Sequence, residues 1–596
     1  MSEISGSLPS RNLDSSRTET MSHEVTQEYD FIVVGGGTAG SAVAGRLAEN
    51  PSVSILLIEA GPADAKHIPE IMTPGRAFEL RGSNYDWQYK TTLIDRPEYT
   101  RVEKPNTRGK VLGGSSCTHY HTWVRGSKAT YDDWVEYGGQ TWDYAHCEKY
   151  FSKPATYHDD EGYADPSLSR IGSGGPIHIS PGSLVPELEP FRQRLAKAWV
   201  SKGQKVTGDV YGGEVNGLFK AVNSTYNGQR SSGWIFVDGK PNVNVLDRTH
   251  SKKIHFDGNV ATGVTVIRDG KDITFKAKRE VIVSSGVFES PKLLMLSGIG
   301  PEDVLSEHNI KPIVKSPNVG QNVLDHPILS HVFRVQDGYG LDNILLRAGP
   351  MYKAAAEQYQ KSKKGPLGST LLEMIGFPRI DERLEMSAEY REAKKKNGDK
   401  DPFGPGGQPH FEIDFVPMFA DAFQWHYPTP PTGEYITIIV DLLRPLSRNG
   451  VIKLQSTDPL VQPYINLNYF SNTLDLVALR EGVRFVDDVL MNGEGFSEII
   501  REEYPFAMPR QSDEAMNKAI MERCQTGYHP CGSCRLGKDI LQGVVDPELI
   551  VHGTKNLRVI DASVFPVIPD CRIQNAVYMV AEKGADIIKA AHPDLY

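Results

Sequence analysis

Residues 29–59 read YDFIVVGGGTAGSAVAGRLAENPSVSILLIE, and this stretch decides the fold. A short apolar run rich in β-branched residues, 31–34, leads into a glycine-rich turn over 35–40. An amphipathic stretch with Ala44, Leu47 and Ala48 on one side follows, and a second apolar run, 53–58, closes the segment. The order strand, turn, helix, strand predicts a βαβ unit and therefore a parallel sheet.

The glycine turn has the spacing of a phosphate-binding loop. Gly35, Gly37 and Gly40 form a G-x-G-x-x-G pattern, and Glu59 ends the second strand. In such a turn the first glycine permits a tight bend, the second lets the backbone approach a pyrophosphate, and the third allows close helix packing. A carboxylate after the second strand can accept hydrogen bonds from ribose hydroxyls. The pattern predicts an adenine dinucleotide, FAD or NAD, bound by Gly35, Gly37, Thr38, Ala39, Gly40 and Glu59.

Composition restricts the class of protein and its partners. The chain has 596 residues, 39 % hydrophobic and 23 % charged, so we expect two or more globular domains. The net charge of −10 argues against a nucleic-acid partner, and no apolar run is long enough to span a membrane. Six cysteines are too few for a disulfide framework, which favours a reducing, intracellular and cytoplasmic location. Residues 1–28 lack the apolar core of a secretory signal and predict a disordered tail.

Three later segments add further motifs, namely RGKVLGGSS at 108–116, GVFESPKLLMLSGIGP at 286–301 and HPCGSCRLG at 529–537. With the N-terminal βαβ unit they resemble, in order and spacing, the glucose–methanol–choline (GMC) family of flavin oxidoreductases. The resemblance implies FAD as the cofactor and an α/β fold, with a Rossmann-like FAD-binding domain and an α+β substrate domain containing an antiparallel sheet. We expect the FAD-binding domain to span 29–175, 225–330 and 540–596, and the substrate-binding domain to span 176–224 and 331–539.

The resemblance also assigns residues to the flavin. In the family, the loop at Gly113 and Gly114 runs beside the isoalloxazine and the pyrophosphate, and the turn at Asp561 lies near the pyrophosphate and the ribityl chain. Relatives usually have asparagine where this sequence has His119. Some relatives attach FAD covalently through a histidine one position earlier, at Thr118 here, so attachment through His119 stays open. The implied cofactor-binding residues beyond the first turn are Gly113, Gly114, Ser115, His119, Asp561, Ala562 and Gln574.

A histidine and an arginine form the expected catalytic pair. His529 matches the family histidine that removes a hydroxyl proton while hydride leaves the substrate carbon, and an imidazole with an ordinary pKa near ~6.5 suits that task. Where the family has histidine or asparagine, this sequence has Arg572. A guanidinium cannot act as a base, but it can direct two N–H donors at a carboxylate. Because a buried arginine needs an anionic partner, two candidates arise, the nearby Asp570 and a substrate carboxylate.

The pair resembles the formate-oxidising members of the family. The resemblance implies that Arg572 binds formate, that hydride passes to FAD with release of CO₂, and that O₂ is reduced to H₂O₂. His529 then holds the substrate or receives its proton, and methanol and formaldehyde are expected to react weakly. In such members the FAD can carry an 8-formyl group. The resemblance leaves open a primary alcohol or aldehyde oxidase or dehydrogenase, a lyase of the same fold, a quinone in place of O₂, and homo-oligomer formation.

Two other groupings are expected to have no catalytic role. Cys531 and Cys534 form a CxxC, but a zinc site needs four ligands in the right geometry, so no metal is expected. Asp325 and His326 look like a catalytic pair, and we expect them to belong to a structural segment near the end of the FAD-binding domain.

Overall fold

The computed structural model describes residues 27–100, 102–159, 168, 171–181, 185–207, 210–420 and 427–596. All but the last two residues of the predicted tail therefore lie outside the described residues. In chain order, the strands β1 to β24 cover Glu28–Val34, Ile55–Ile58, Tyr89–Thr92, Glu103–Asn106, Ala155–Tyr157, Ile177–Ile179, Gly217–Lys220, Thr225–Tyr226, Gln229–Arg230, Val243–Leu246, His250–Asp257, Val260–Arg268, Lys271–Val283, Ile299–Gly300, Val314–Lys315, Pro327–Val335, Met374–Phe377, Phe411–Val416, Glu434–Leu442, Val451–Lys453, Tyr464–Asn466, Ile500–Tyr504, Gln525–Thr526 and Leu557–Val559.

The α-helices flank these strands and connect them. In chain order, α1 to α14 cover Thr38–Leu47, Pro69–Met72, Lys128–Asp132, Val135–Gly138, Tyr144–Ser152, Glu189–Ser201, Gly286–Leu296, Glu302–Glu307, Pro350–Ser362, Asp381–Leu384, Ala388–Lys396, Leu474–Asn492, Asp513–Arg523 and Gln574–Ala591. Among the described residues, none of these helices combines the length and apolar character that crossing a bilayer requires.

The first sheet contains the predicted βαβ unit. Its strand order is β10-β2-β1-β13-β12-β11, and β24 also pairs with β13. β1 runs parallel to β2 and β13, and β24 runs parallel to β13. Residues 31–34 and 55–58 are buried throughout, as expected for parallel strands covered on both faces. α1 packs against α14, where the Arg46 guanidinium lies 2.7 Å from the carboxylate of Glu582.

The second sheet is antiparallel, which confirms the predicted substrate-side architecture. Its order is β22-β16-β19-β18-β17-β7, with β23 also paired to β16. Every residue of β18 and β19 is buried, because neighbouring strands and helices enclose these central strands. A smaller sheet, β20-β21-β3-β4, adds a third layer. The domain boundaries given above stay a prediction.

Candidate active site

A single cleft brings together most of the residues selected from the sequence. It lies where β1, β2, β13 and β24 end, and it extends to β16 and β19 of the second sheet. Gly40 and Gly113, also selected from the sequence, are not among the residues that line it. The predicted residues that line it are Gly35, Gly37, Thr38, Ala39, Glu59, Gly114, Ser115, His119, Asp561, Ala562, Gln574, His529 and Arg572.

The three glycines of the first turn meet different steric demands. Gly35 has φ +102°, and a Cβ there would lie 2.4 Å from the carbonyl oxygen of Ser284. A Cβ on Gly40 would lie 1.8 Å from the carbonyl oxygen of Gly35, so this glycine lets α1 pack closely. At Gly37 the nearest atom to a Cβ would be Gly114 Cα at 3.8 Å, so the space there belongs to the cleft. α1 begins at the next residue with no side-chain cap, and such a helix end suits a pyrophosphate.

The second glycine loop is in direct contact with the first. The backbone N–H of Gly113 donates to the carbonyl oxygen of Gly36 at 2.7 Å. Gly114 has φ +54°, and a Cβ there would lie 2.6 Å from Gly37 Cα. The two loops are therefore joined through backbone contacts that side chains would block, and both face the cleft that an extended dinucleotide would occupy.

Two carboxylates hold the ends of the first-sheet strands. Glu59 accepts from the backbone N–H groups of Gly36, at 3.0 Å, and Gly61, at 2.8 Å, while burial raises the pKa of its carboxyl to about 7. Asp561 accepts from the backbone N–H of Gly286 at 2.9 Å and from the hydroxyl of Ser290 at 2.6 Å. Carboxylate oxygens have further lone pairs, so both groups can also accept from hydroxyls of a bound dinucleotide.

His119 is held as a neutral ring. Its Nδ1 accepts from Arg230 Nη1 at 3.0 Å and from the backbone N–H of His121 at 3.1 Å, which places its proton on Nε2. Burial and the Arg230 charge lower the pKa of His119 to about 3. Nε2 is buried and has no hydrogen-bond partner among the described residues, and covalent attachment through His119 stays a prediction.

His529 lies in the loop after β23 and contacts a second histidine. Its Nδ1 is 3.0 Å from Nδ1 of His326, so one of the two nitrogens carries the shared proton. Each Nδ1 also lies 3.7 Å from a carboxyl oxygen of Asp441. Burial, together with the nearby His326 and Arg572, holds the pKa of His529 well below its usual value. The ring is therefore neutral, and it is a weaker base than an exposed imidazole.

Asp325 fixes the backbone of that loop. One carboxyl oxygen accepts from the backbone N–H of His529 at 2.9 Å, and the other accepts from the hydroxyls of Thr526 at 2.5 Å and Tyr469 at 2.7 Å. The segment expected to be purely structural thus supports the candidate catalytic histidine directly, through both Asp325 and His326.

Arg572 is paired with carboxylates that the sequence analysis did not select. Its Nε donates to Glu412 at 2.6 Å, and its Nη2 donates to Asp414. Asp570, the partner considered from the sequence, instead accepts from the backbone N–H of Ser127 at 2.8 Å. Asp570 is therefore the wrong partner, because the turn before α14 directs it towards residues 126–127. The Nη1 group of Arg572 makes no hydrogen bond to a described residue, and the side chain lines the cleft.

Glu412, Asp414 and Asp441, here called the carboxyl triad, lie on one face of the second sheet. Glu412 and Asp414 are two residues apart on β18, and Asp441 is directly opposite Glu412 on β19. All three are buried. The sequence signal was present, because these acids occur in otherwise apolar runs, FEIDFV and EYITIIVDL, that end up as central strands.

Burial dominates the electrostatics of the triad. It raises the pKa of Glu412 to about 8, raises that of Asp414, and raises that of Asp441 well above its usual value. Burial alone would lower the pKa of Arg572, but the attraction of Asp414 and Glu412 outweighs it and raises that pKa. Glu412 Oε2, Asp414 Oδ1 and Asp441 Oδ1 are buried without a hydrogen-bond donor among the described residues.

None of the six cysteines lines the cleft. All six are buried free thiols, and burial raises the pKa values of Cys531 and Cys534 well above the usual range. Within the described ranges, the clusters that could coordinate a metal consist of imidazoles and carboxylates, such as His326, Asp441 and His529.

Comparison with known proteins identifies the family. The GMC oxidoreductase models match residues 29–328 and 445–581. The chain is 55 % identical to a formate oxidase of known structure, with a TM-score of 0.95, covering 96 % of this chain and 100 % of that one. An Aspergillus oryzae RIB40 formate oxidase, solved with an arginine-to-lysine change to examine FAD modification, gives the same values. The oxygen-dependent choline dehydrogenase of Burkholderia ambifaria is 32 % identical over 575 residues, covering 95 % of this chain and 94 % of that protein. The protein therefore belongs to the GMC oxidoreductase family and is an FAD-dependent oxidoreductase.

Proposed function

We propose that the protein oxidises formate to CO₂ and reduces O₂ to H₂O₂. The observation that carries the proposal is Arg572, which lines the cleft together with His529 and whose Nη1 group makes no hydrogen bond to a described residue. The 55 % identity to a formate oxidase supports the same substrate. In the overall reaction, formate, O₂ and one proton give CO₂ and H₂O₂. Bound FAD would supply the two-electron acceptor between formate and O₂, held by the glycine turn at residues 35–40 and by Glu59 and Asp561.

Arg572 is suited to bind and orient a small carboxylate. Glu412 and Asp414 hold the Nε and Nη2 positions, so the plane of the guanidinium is fixed before substrate arrives. The remaining N–H groups of Nη1 and Nη2 form an edge that matches two carboxylate oxygens. Binding at that edge would leave the C–H bond of formate as the one group free to face the cofactor.

Oxidation of formate requires less proton transfer to His529 than oxidation of an alcohol does. Formate has no hydroxyl proton to lose when its hydride leaves, so a neutral His529 holds a substrate oxygen by a hydrogen bond or takes the proton of formic acid. Its contacts with His326 and with the Asp325 carboxylate fix the ring and the backbone from two sides. A ring fixed in this way can serve as a positioned donor or acceptor.

Oxidation of a primary alcohol or aldehyde is the second candidate. A buried neutral imidazole suits the removal of a hydroxyl proton, and the choline dehydrogenase relatives are 32 % identical. A guanidinium lining the cleft, however, disfavours a quaternary ammonium substrate such as choline.

Anaerobic reduction of the flavin tests the choice. Purified holoenzyme is mixed without O₂ with formate, methanol, benzyl alcohol or choline, and the oxidised flavin absorbance is followed. We expect formate to reduce the flavin fastest and, on admission of air, to yield one H₂O₂ per formate consumed. Rapid reduction by an alcohol but not by formate would assign the second candidate. Reduction without peroxide would indicate an acceptor other than O₂, and no reduction by any of the four would refute both candidates.

A further inference from the structure

The carboxyl triad places three acids around one guanidinium. Glu412 and Asp414 each contact Arg572, and Asp441 lies across the strand pair from Glu412. If every carboxyl were ionised, the charges of the four side chains would sum to −2. None of the three acids is more than slightly exposed, and a net charge at such depth costs several kcal/mol. The triad therefore retains protons.

A bound anion would add to the cost of burying net negative charge at this site. A substrate carboxylate on the free edge of Arg572 would be a fourth negative charge beside a single cation. Glu412 contacts Arg572 through Oε1, while Oε2 has no donor among the described residues, so Oε2 can hold a proton without breaking the ion pair. With Glu412 neutral, more of the Arg572 charge remains available to the incoming anion.

We propose that a small anion binds to Arg572 only when Glu412 is protonated, so that each bound substrate carboxylate is matched by one proton on the triad. The inference rests on the proposed function, since it takes a carboxylate as the ligand of Arg572, and it adds the ionic state that accepts this ligand. Glu412 is then a residue that sets substrate affinity through the charge of Arg572, without touching the substrate.

Other groups around the triad do not supply this proton. Burial lowers the pKa of His326 to about 3 and holds that of His529 well below its usual value, so both rings are neutral above pH 6. Burial, reinforced by the neighbouring Glu412, raises the pKa of Asp441 well above its usual value, which favours its neutral form. The remaining charged or titratable groups that face the triad and His529 are Arg572, Asp414, Asp325, Arg108 and Cys571.

Nitrate binding to the oxidised holoenzyme tests the proposal. Nitrate is planar and singly charged like formate, it carries no hydride, and it stays ionised across the pH range, so a proton taken up must be on the protein. Titration calorimetry gives the dissociation constant from pH 6 to 9.5, and repeating it in two buffers of different ionisation enthalpy gives the proton count. We expect a nearly constant Kd and almost no proton uptake below about pH 7, where Glu412 is already protonated. Above about pH 8 the Kd should rise towards tenfold per pH unit, and proton uptake should approach one per nitrate by pH 9.5.

Glu412→Gln is the decisive variant, and Glu502→Gln on β22 is its matched control, because that glutamate is exposed and pairs with Arg334. In Glu412→Gln the side chain is permanently neutral, so nitrate affinity should stay within about twofold across the range, whereas Glu502→Gln should keep the wild-type profile. If hydroxide competed with nitrate, the Kd for nitrate would rise with pH in both variants. If Glu412→Gln does not retain FAD, Asp414→Asn serves instead. It removes the neighbouring negative charge and should move the break in the profile to lower pH.

A flat wild-type profile, or an equal rise in Glu412→Gln, would overturn the proposal. So would an unshifted break in Asp414→Asn. These outcomes are distinct from failure of the proposed function. Nitrate binding with the expected profile in an enzyme that formate cannot reduce would refute formate oxidation alone. A flat profile in an enzyme that formate does reduce would refute only the protonation requirement.

Discussion

Arg572→Lys separates the geometry of the guanidinium from its charge. Lysine keeps a cation near Glu412 and Asp414, but its single ammonium cannot hold both carboxyls and also present a two-donor edge to the cleft. Truncating one partner of a buried charge pair costs about 2–5 kcal/mol, and because lysine keeps the charge we expect the lower part, about 2–3 kcal/mol. At 1.36 kcal/mol per tenfold, the second-order rate constant for flavin reduction by formate should fall by roughly 30- to 160-fold.

The assay compares formate with methanol. Rapid-mixing measurements of anaerobic flavin reduction give the rate constant for each substrate in wild type and variant. Methanol has no carboxylate to meet the guanidinium, so its rate constant should change by less than about threefold. Equal losses for both substrates would mean that Arg572 acts only by holding Glu412 and Asp414 in place, and the carboxylate-binding role would be refuted.

Arg572→Ala is less informative alone, because it leaves two buried carboxyls without their cation. Removing one partner of a buried ion pair typically costs about 3–5 kcal/mol of stability, although protonation of Glu412 and Asp414 can recover part of it. Thermal unfolding of the variant must therefore be measured beside its kinetics, and only the ratio of formate to methanol rates should be read as a substrate effect.

Three further predictions address other parts of the site. Gly37→Glu should abolish FAD retention, since it places a carboxylate in the space at the start of α1; a folded variant with full flavin absorbance would remove that turn from the cofactor site. His529→Ala should keep its FAD while turnover falls by about 10²-fold or more, and an unchanged kcat would exclude His529 from proton handling. Asp325→Ala removes the acceptor of the Thr526 hydroxyl and of the backbone N–H groups of His326 and His529, at about 1–3 kcal/mol per orphaned group, so both the unfolding temperature and turnover should fall; normal turnover would show that the loop keeps its conformation without Asp325.

The sequence was informative where the chemistry is local. The turn from Gly35 to Gly40 depends on a few consecutive residues and on backbone sterics, so its glycine spacing, together with the apolar run before it and the amphipathic stretch after it, predicted a phosphate loop. His529 and Arg572 were found because each lies in a short segment that resembles a family motif. In both cases the residues that form the sequence motif are also the residues that form the site.

The partners of Arg572 could not be found in this way. Glu412 is 160 residues from Arg572, and its contact depends on the pairing register of β18 with β19 and on how the turn before α14 meets that sheet. Nearness along the chain favoured Asp570, but the backbone there directs its carboxyl to Ser127. The contact of His326 with His529 spans 203 residues and depends on the same docking. The acids within apolar runs of the sequence indicated buried carboxyl groups, but the sequence did not indicate which residue would pair with them.

β24, which joins the first sheet, and α14, which packs on it through α1, affect the order in which the cofactor cleft can form during synthesis. Residues 557–591 contain three parts of the site. They are β24, which ends just before Asp561, the turn that carries Arg572, and α14, which packs against α1. A ribosome therefore releases the nucleotide turn at residues 35–40 long before the segments that enclose it exist. The growing chain cannot close its cofactor cleft until residues 557–591 have been made, and a stop before residue 557 would leave the N-terminal turn open, without Asp561, Arg572 and Gln574 in the cleft lining.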